Sequence, residues 1–174
     1  MAVYRWMFWT DWGTEPKIER AGMDGSHRQT IVSYEVKWPN GLTLDLVKKR
    51  VYWVDAKLNV ISSCNYDGTE RRVILYSPDA LQHPFSVTTF EDWVYWTDWD
   101  KQAVYRANKF TGKDIAPITA THMVCPLYFH LYALAVEYCR YFWLHRDLYQ
   151  PRENVHCGNA SSVYYDVILT VCLL

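Results

Sequence analysis

An excess of charge of either sign is missing from this sequence. Nineteen acidic residues stand against eighteen basic ones in 174, leaving a formal net charge of -1. Neither sign forms a long run, so there is no electrostatic footprint for nucleic acid, and no nucleic-acid partner is expected. Common catalytic and cofactor motifs are missing too: no GxSxG, HExxH, phosphate-binding loop or dinucleotide fingerprint occurs. No catalytic residue, no enzyme activity and no cofactor are therefore expected. The five cysteines, Cys64, Cys125, Cys139, Cys157 and Cys172, form no CxxC pair and no zinc-site spacing, although His156 adjoins Cys157, so no metal is expected. Their odd number would leave one thiol unpaired in an oxidising compartment. The N-terminal MAVYRWMFWTDWG has no uninterrupted apolar run of export-signal length. Residues 123–144 are apolar over about the length of a membrane span. Pro126, His130, Glu137 and Arg140 interrupt them, each costly in hydrocarbon, so direct membrane insertion is not expected.

What the chain has in abundance is apolar and aromatic surface. Half of it is hydrophobic, enough for a sizeable core. Nine Trp and fourteen Tyr, many beside Asp, Thr or Gly, favour strands whose rings carry polar tips. An internal repeat orders these residues. Met7-Phe8-Trp9-Thr10-Asp11, Val51-Tyr52-Trp53-Val54-Asp55 and Val94-Tyr95-Trp96-Thr97-Asp98 are three copies of one aromatic strand ending in a carboxylate, the Asp returning after 44 and then 43 residues. Ile18, Ile61 and Val104 follow at matching places, and then the turns Met23-Asp24-Gly25, Tyr66-Asp67-Gly68 and Phe110-Thr111-Gly112, whose glycines accept positive φ. Pro-containing loops, Trp38-Pro39-Asn40-Gly41 and His83-Pro84-Phe85-Ser86, lead into alternating strands between the copies. Four short strands per repeat of this length predict the blades of a β-propeller.

The expected fold is all-β, a partial propeller of about two and a half blades over residues 1–121. The blades lie at about 3–32, 41–76 and 85–120, the first lacking its inner strand. After Thr121 the periodicity stops. Residues 122–149 are an unmatched aromatic-rich segment, irregular or helical over about 127–142, and residues 150–174 form a separate tail. A ring left open in this way exposes apolar flanks, so the isolated chain is expected to be poorly stable and to engage folding chaperones.

FWTDWG, KIERAGMDGSHR, WPNGLTLD, YWVDAKL, HPFSVTTFED and VYWTDW resemble, in order and spacing, the six-bladed YWTD propeller of the low-density lipoprotein receptor family. The resemblance covers residues 6 to about 121 and fits the family's last three blades. Gln150-Pro151-Arg152-Glu153-Asn154-Val155-His156-Cys157 resembles the family's connection into an epidermal-growth-factor-like module. The resemblance implies the extracellular or lumenal part of a single-pass membrane receptor, acting in ligand binding, endocytosis and pH-dependent release. AGMDGS, PNGLTLD and DAKLN also resemble Wnt co-receptor propellers, and a nidogen-like matrix adaptor is a further alternative. Asn159-Ala160-Ser161 is a glycosylation acceptor sequence.

Asp11, Asp55 and Asp98 recur once per repeat, each with its Trp9, Trp53 or Trp96. That recurrence suits an architectural role, because acid-base catalysis needs distinct carboxylates converging on one centre. The resemblance implies that these carboxylates tie neighbouring blades through hydrogen bonds or Arg partners. It places Trp12, Trp38 and His83 on the loops that meet protein ligands or the receptor's own ligand-binding modules. Their bland alternatives are packing between blades for the two tryptophans and a solvated loop histidine for His83. A histidine titrates between neutral and endosomal pH, which fits His83 for release. Where the resemblance would place a second such histidine, this chain has Asn59.

Overall fold

The computed structural model describes residues 6–119, which form eleven antiparallel strands and no helix. The helix expected over 127–142, Asn159, the tail from 150 and every cysteine except Cys64 lie outside the described residues. β1 (Trp6–Asp11), β2 (Lys17–Gly22) and β3 (Gln29–Val32) make one sheet in that order. β4 (Pro39–Asp45), β5 (Arg50–Asp55), β6 (Val60–Asn65) and β7 (Arg72–Tyr76) make the second. β8 (Pro84–Phe90), β9 (Trp93–Asp98), β10 (Ala103–Asn108) and β11 (Ala116–Thr119) make the third. The all-β partial propeller read from the repeat is the fold, with the three aromatic strands in equivalent places as β1, β5 and β9.

The core lies between sheets, because a strand sends alternate side chains to opposite faces. Val51 and Trp53 on β5 join Phe8, Ile18, Ile31, Val32, Leu42 and Cys64 between the first and second sheets. Val54, the next residue of β5, joins Ile61, Leu75, Leu81, Val87, Val94 and Trp96 between the second and third. Trp53 and Trp96 are fully buried in these two joints. Full burial of a large apolar side chain contributes about 1.5–3 kcal/mol, so stability resides where sheets meet. Each middle strand is thus committed to two neighbours, which explains why β5 is buried from Val51 to Asp55.

Glycine turns lock the joints. The turns after β2, β6 and β10 hold Gly25, Gly68 and Gly112 at φ of 81°, 88° and 66°. A second left-handed residue, His27, Glu70 or Asp114, follows two positions on. A Cβ at Gly68 would collide with the carbonyl oxygen of Ile31, and one at Gly112 with that of Ile74. Ile31 and Ile74 are the extra residues at register shifts, between Val32 and Thr30 opposite β2 and between Leu75 and Val73 opposite β6. The bulge turns a carbonyl of the outermost strand toward the next sheet, and only glycine lets that sheet's turn approach it.

Candidate binding site

The carboxylate ending each aromatic strand organises one end of the sheets. Asp55 accepts hydrogen bonds from the Lys37 and Trp38 amides at 2.7 and 3.1 Å, and from the Lys57 and Leu58 amides of its own turn at 3.0 and 3.1 Å. Asp98 repeats the pattern with the amides of His83 at 2.9 Å and Lys101 at 3.1 Å. Asp11 accepts from the Gly13 amide at 2.9 Å. Both Asp55 and Asp98 are buried, and buried carboxylates need such partners. Their hydrogen-bond donors among the described residues are backbone amides, not arginines. The carboxylates pin the loop arriving from the preceding sheet onto the turn of their own sheet.

The same loops receive a second restraint. The Ala56 amide donates to the Trp38 carbonyl, and the Trp99 amide to the His83 carbonyl, each at 3.0 Å. Trp38 and His83 therefore occupy equivalent, doubly held positions. Asn59 holds the second loop from below: at φ 55°, a conformation Asn tolerates, its side-chain amide donates to the Leu81 carbonyl at 2.6 Å.

On this base the side chains point outward. Trp38 is 45% exposed, with the Lys57 ammonium 5.0 Å from its ring centroid, so its ring does not pack between sheets. Trp99 is 48% exposed and lies parallel to Phe85 at 5.1 Å, while His83 meets its edge at 5.4 Å. The His83 Nδ1 is 3.8 Å from an Asp100 carboxylate oxygen, and both side chains are exposed. Trp12 begins the turn after β1 at the same end and is half-buried. The loops thus carry two aromatic stations, Trp38 with Lys57 and Trp99 with Phe85 and His83. No hydrogen bond or ring contact joins Trp38 to His83 among the described residues. Large rigid rings on restrained loops give contact area at little entropic cost, which suits protein recognition.

Sequence reasoning missed Trp99, Lys57 and Asp100. Trp99 had a signal, since it occupies the repeat position of Trp12 directly after the motif Asp. Chemistry elsewhere is muted. Cys64 is a free, buried thiol whose pKa burial pushes up to about 12, so it is not a thiolate at physiological pH.

The described strands match known proteins. Residues 5–46 and 49–91 match the model of the low-density lipoprotein receptor repeat class B. Each matched repeat takes three strands of one sheet and the inner strand of the next, so the sequence unit and the blade are one strand out of phase. The vitellogenin receptor Yl of Drosophila melanogaster is 50% identical over 108 residues, covering 62% of this chain and 5% of the relative. The vitellogenin receptor of Solenopsis invicta is 45% identical over 116 residues, covering 67% of this chain and 6% of the relative. A chain in the crystal structure of a nidogen/laminin complex superposes with a TM-score of 0.59 at 32% identity, over 67% of this chain and 43% of that one. This chain therefore spans about a twentieth of the length of the receptors it matches.

Proposed function

The chain belongs to the low-density lipoprotein receptor family of YWTD propellers, and from that membership we propose that it is a non-catalytic, protein-binding part of an extracellular receptor region that captures cargo and releases it on acidification. The observation that carries this reading is the pair of half-exposed tryptophans, Trp38 and Trp99, on loops fixed by Asp55 and Asp98. Trp12 extends the same end. Two of the matched relatives are vitellogenin receptors, so yolk-type lipoprotein is the first cargo to test. His83 supplies the pH response: protonation adds a positive charge beside Trp99, which the acidic ligand-binding modules of such a receptor can recognise. Domain bounds follow the repeat, with the propeller part at 1–121.

The test uses the intact parent receptor and purified vitellogenin. Trp12→Ala and Trp38→Ala should each weaken neutral-pH binding several-fold, an anchor ring contributing at least about 1 kcal/mol. His83→Ala should leave that binding unchanged and slow release near endosomal pH. Secretion of both tryptophan variants with undiminished binding, or release by His83→Ala as fast as the parent's at acidic pH, would end the reading. The 32% identity to the nidogen chain supports a second reading, a matrix adaptor. It is separated from the first by whether the parent transcript encodes a membrane span or further matrix modules.

A further inference from the structure

We propose that Trp99, Asp100 and His83 together accept a lysine or arginine side chain of the protein ligand, the cation resting on the Trp99 ring against the Asp100 carboxylate until protonated His83 takes its place. This site belongs to the ligand-binding end proposed above and rests on that reading. Two residues after the motif Asp, the second sheet has Lys57 and the third has Asp100. Lys57 places its ammonium 5.0 Å from the Trp38 ring centroid. Asp100 instead places a carboxylate oxygen 3.8 Å from Nδ1 of His83, the residue equivalent to Trp38. The same place in the repeat thus carries opposite charge at the two aromatic stations.

The rings differ in the same sense. Arg28 lies over Trp9, Lys57 over Trp38 and Arg71 over Trp53, so these rings are served by cations of the chain itself. Among the described residues no Lys or Arg stands over Trp99, although that ring is 48% exposed and Phe85 stacks on only one of its faces. An aromatic face attracts a cation through its quadrupole, and a carboxylate nearby adds a charge-assisted hydrogen bond. A half-exposed indole followed directly by an exposed carboxylate, with no cation of its own, is the complement of a basic side chain.

His83 touches both parts of the site. Its ring meets the edge of Trp99 at 5.4 Å, and its Nδ1 faces Asp100. The other charged groups on the surrounding elements are engaged elsewhere or stand apart. Asp98 accepts the amides of His83 and Lys101, and Lys57, on the turn whose Asn59 holds the His83 loop, lies over Trp38. Asp79 shares the loop of His83 and Lys101 shares the turn of Asp100, but among the described residues the ion-pair partner of His83 is Asp100. At neutral pH the imidazole is uncharged and Asp100 can take a ligand cation. Near endosomal pH the imidazolium pairs with Asp100, so the ligand cation loses its counter-charge and meets a like charge beside Trp99. The protonation that offers charge to acidic modules therefore also expels the ligand.

The test measures vitellogenin binding to the intact receptor at neutral and endosomal pH for Asp100→Asn, which keeps the shape of the side chain and removes its charge. The Asp100 side chain is 58% exposed, so the fold tolerates the change. At neutral pH the variant should bind about threefold more weakly, within what an exposed ion pair contributes, and added salt should weaken the parent more than the variant. The ratio of neutral to acidic affinity should shrink in Asp100→Asn and in His83→Ala, and combining the two should shrink it no further. Asp100→Glu should behave as the parent. A merely structural Asp100 would leave the salt and pH dependence untouched. If Asp100→Asn bound as the parent does while Trp38→Ala was weakened, this site would be overturned and the ligand-binding end would stand. If Trp12→Ala and Trp38→Ala also bound as the parent does, that reading would fall with it. Weakened binding with an unchanged neutral-to-acidic ratio in Asp100→Asn would overturn the role of His83 and with it the proposal.

Discussion

At the scale of single residues, charge is placed where partners are fixed. The Lys109 ammonium lies 2.6 Å from Asp45 Oδ2, with both side chains almost fully buried, and joins β4 of the second sheet to the end of β10 in the third. The contact is ionic, since Oδ2 has no aligned hydrogen bond; Asp45 Oδ1 accepts from the Lys48 amide. Removing one member of a buried pair strands the other, at a cost of about 3–5 kcal/mol, whereas replacing both with apolar residues is often neutral. Lys109→Met should therefore lower the urea midpoint strongly, and Asp45→Leu combined with Lys109→Met should recover most of the loss. If the double variant were no better than the single one, the pair would not be the cause. Glu19, itself buried, is held by the exposed Arg28. Hydrogen bonding from Arg28 lowers its pKa despite opposing burial. A carboxylate lowered in the folded state stabilises fully above its unfolded value of about 4.5 and loses that contribution as pH falls through the folded value. The stability gap between the parent and Glu19→Gln should thus be constant near neutrality and close in acid. A gap that widens with acidification would contradict the assignment.

The elements repeat, but their environments do not, and substitution at equivalent positions should expose the difference. Gly25→Ala meets only the backbone cost of a left-handed non-glycine residue, about 1–2 kcal/mol. Gly68→Ala adds a collision with the Ile31 carbonyl that neither sheet can relieve without parting. Chemical denaturation should rank Gly68→Ala well below Gly25→Ala, and equal losses would show that the turn does not lock the joint. Periodicity made the strands legible, because an aromatic strand ending in Asp and a glycine turn recur at almost constant spacing. The bulges at Ile31, Ile74 and Ile118 were not legible, since one extra residue within a short apolar run leaves no composition signal. Arg28 and Arg71 could have been found from their shared place after the glycine, in DGSHR and DGTER. Asp45 and Lys109 could not, because Asp45 stands where the third repeat has Phe90 and Lys109 is one extra residue between β10 and its glycine turn, and a pair formed once has no period.

For the molecule as a whole, the sheets divide their surfaces by task. Flanks make joints, and the two ends carry loops. One end holds the carboxylate-pinned loops with Trp38, His83 and Trp99; the other holds the glycine turns and the β4–β5 hairpin tip, where Leu46 is 51% and Val47 86% exposed. The resemblance pointed to Trp12, Trp38 and His83 as ligand contacts, and the backbone holds two of them alike: Trp38 and His83 share one hydrogen-bond frame. Exposed apolar residues at both ends mean that exposure alone does not identify a binding end; the proposed end differs in the rigid base under Trp38 and Trp99. Binding of the protein cargo to the intact receptor should therefore be measured by surface plasmon resonance at neutral pH for Trp38→Ala and Trp99→Ala, and in parallel for Leu46→Ala and Val47→Ala. The first pair should each weaken binding at least about fivefold, corresponding to 1 kcal/mol or more per anchor, and the second pair should leave it unchanged. Losses confined to Leu46 and Val47, or equal at both ends, would contradict the assignment of ligand binding to the carboxylate-pinned end.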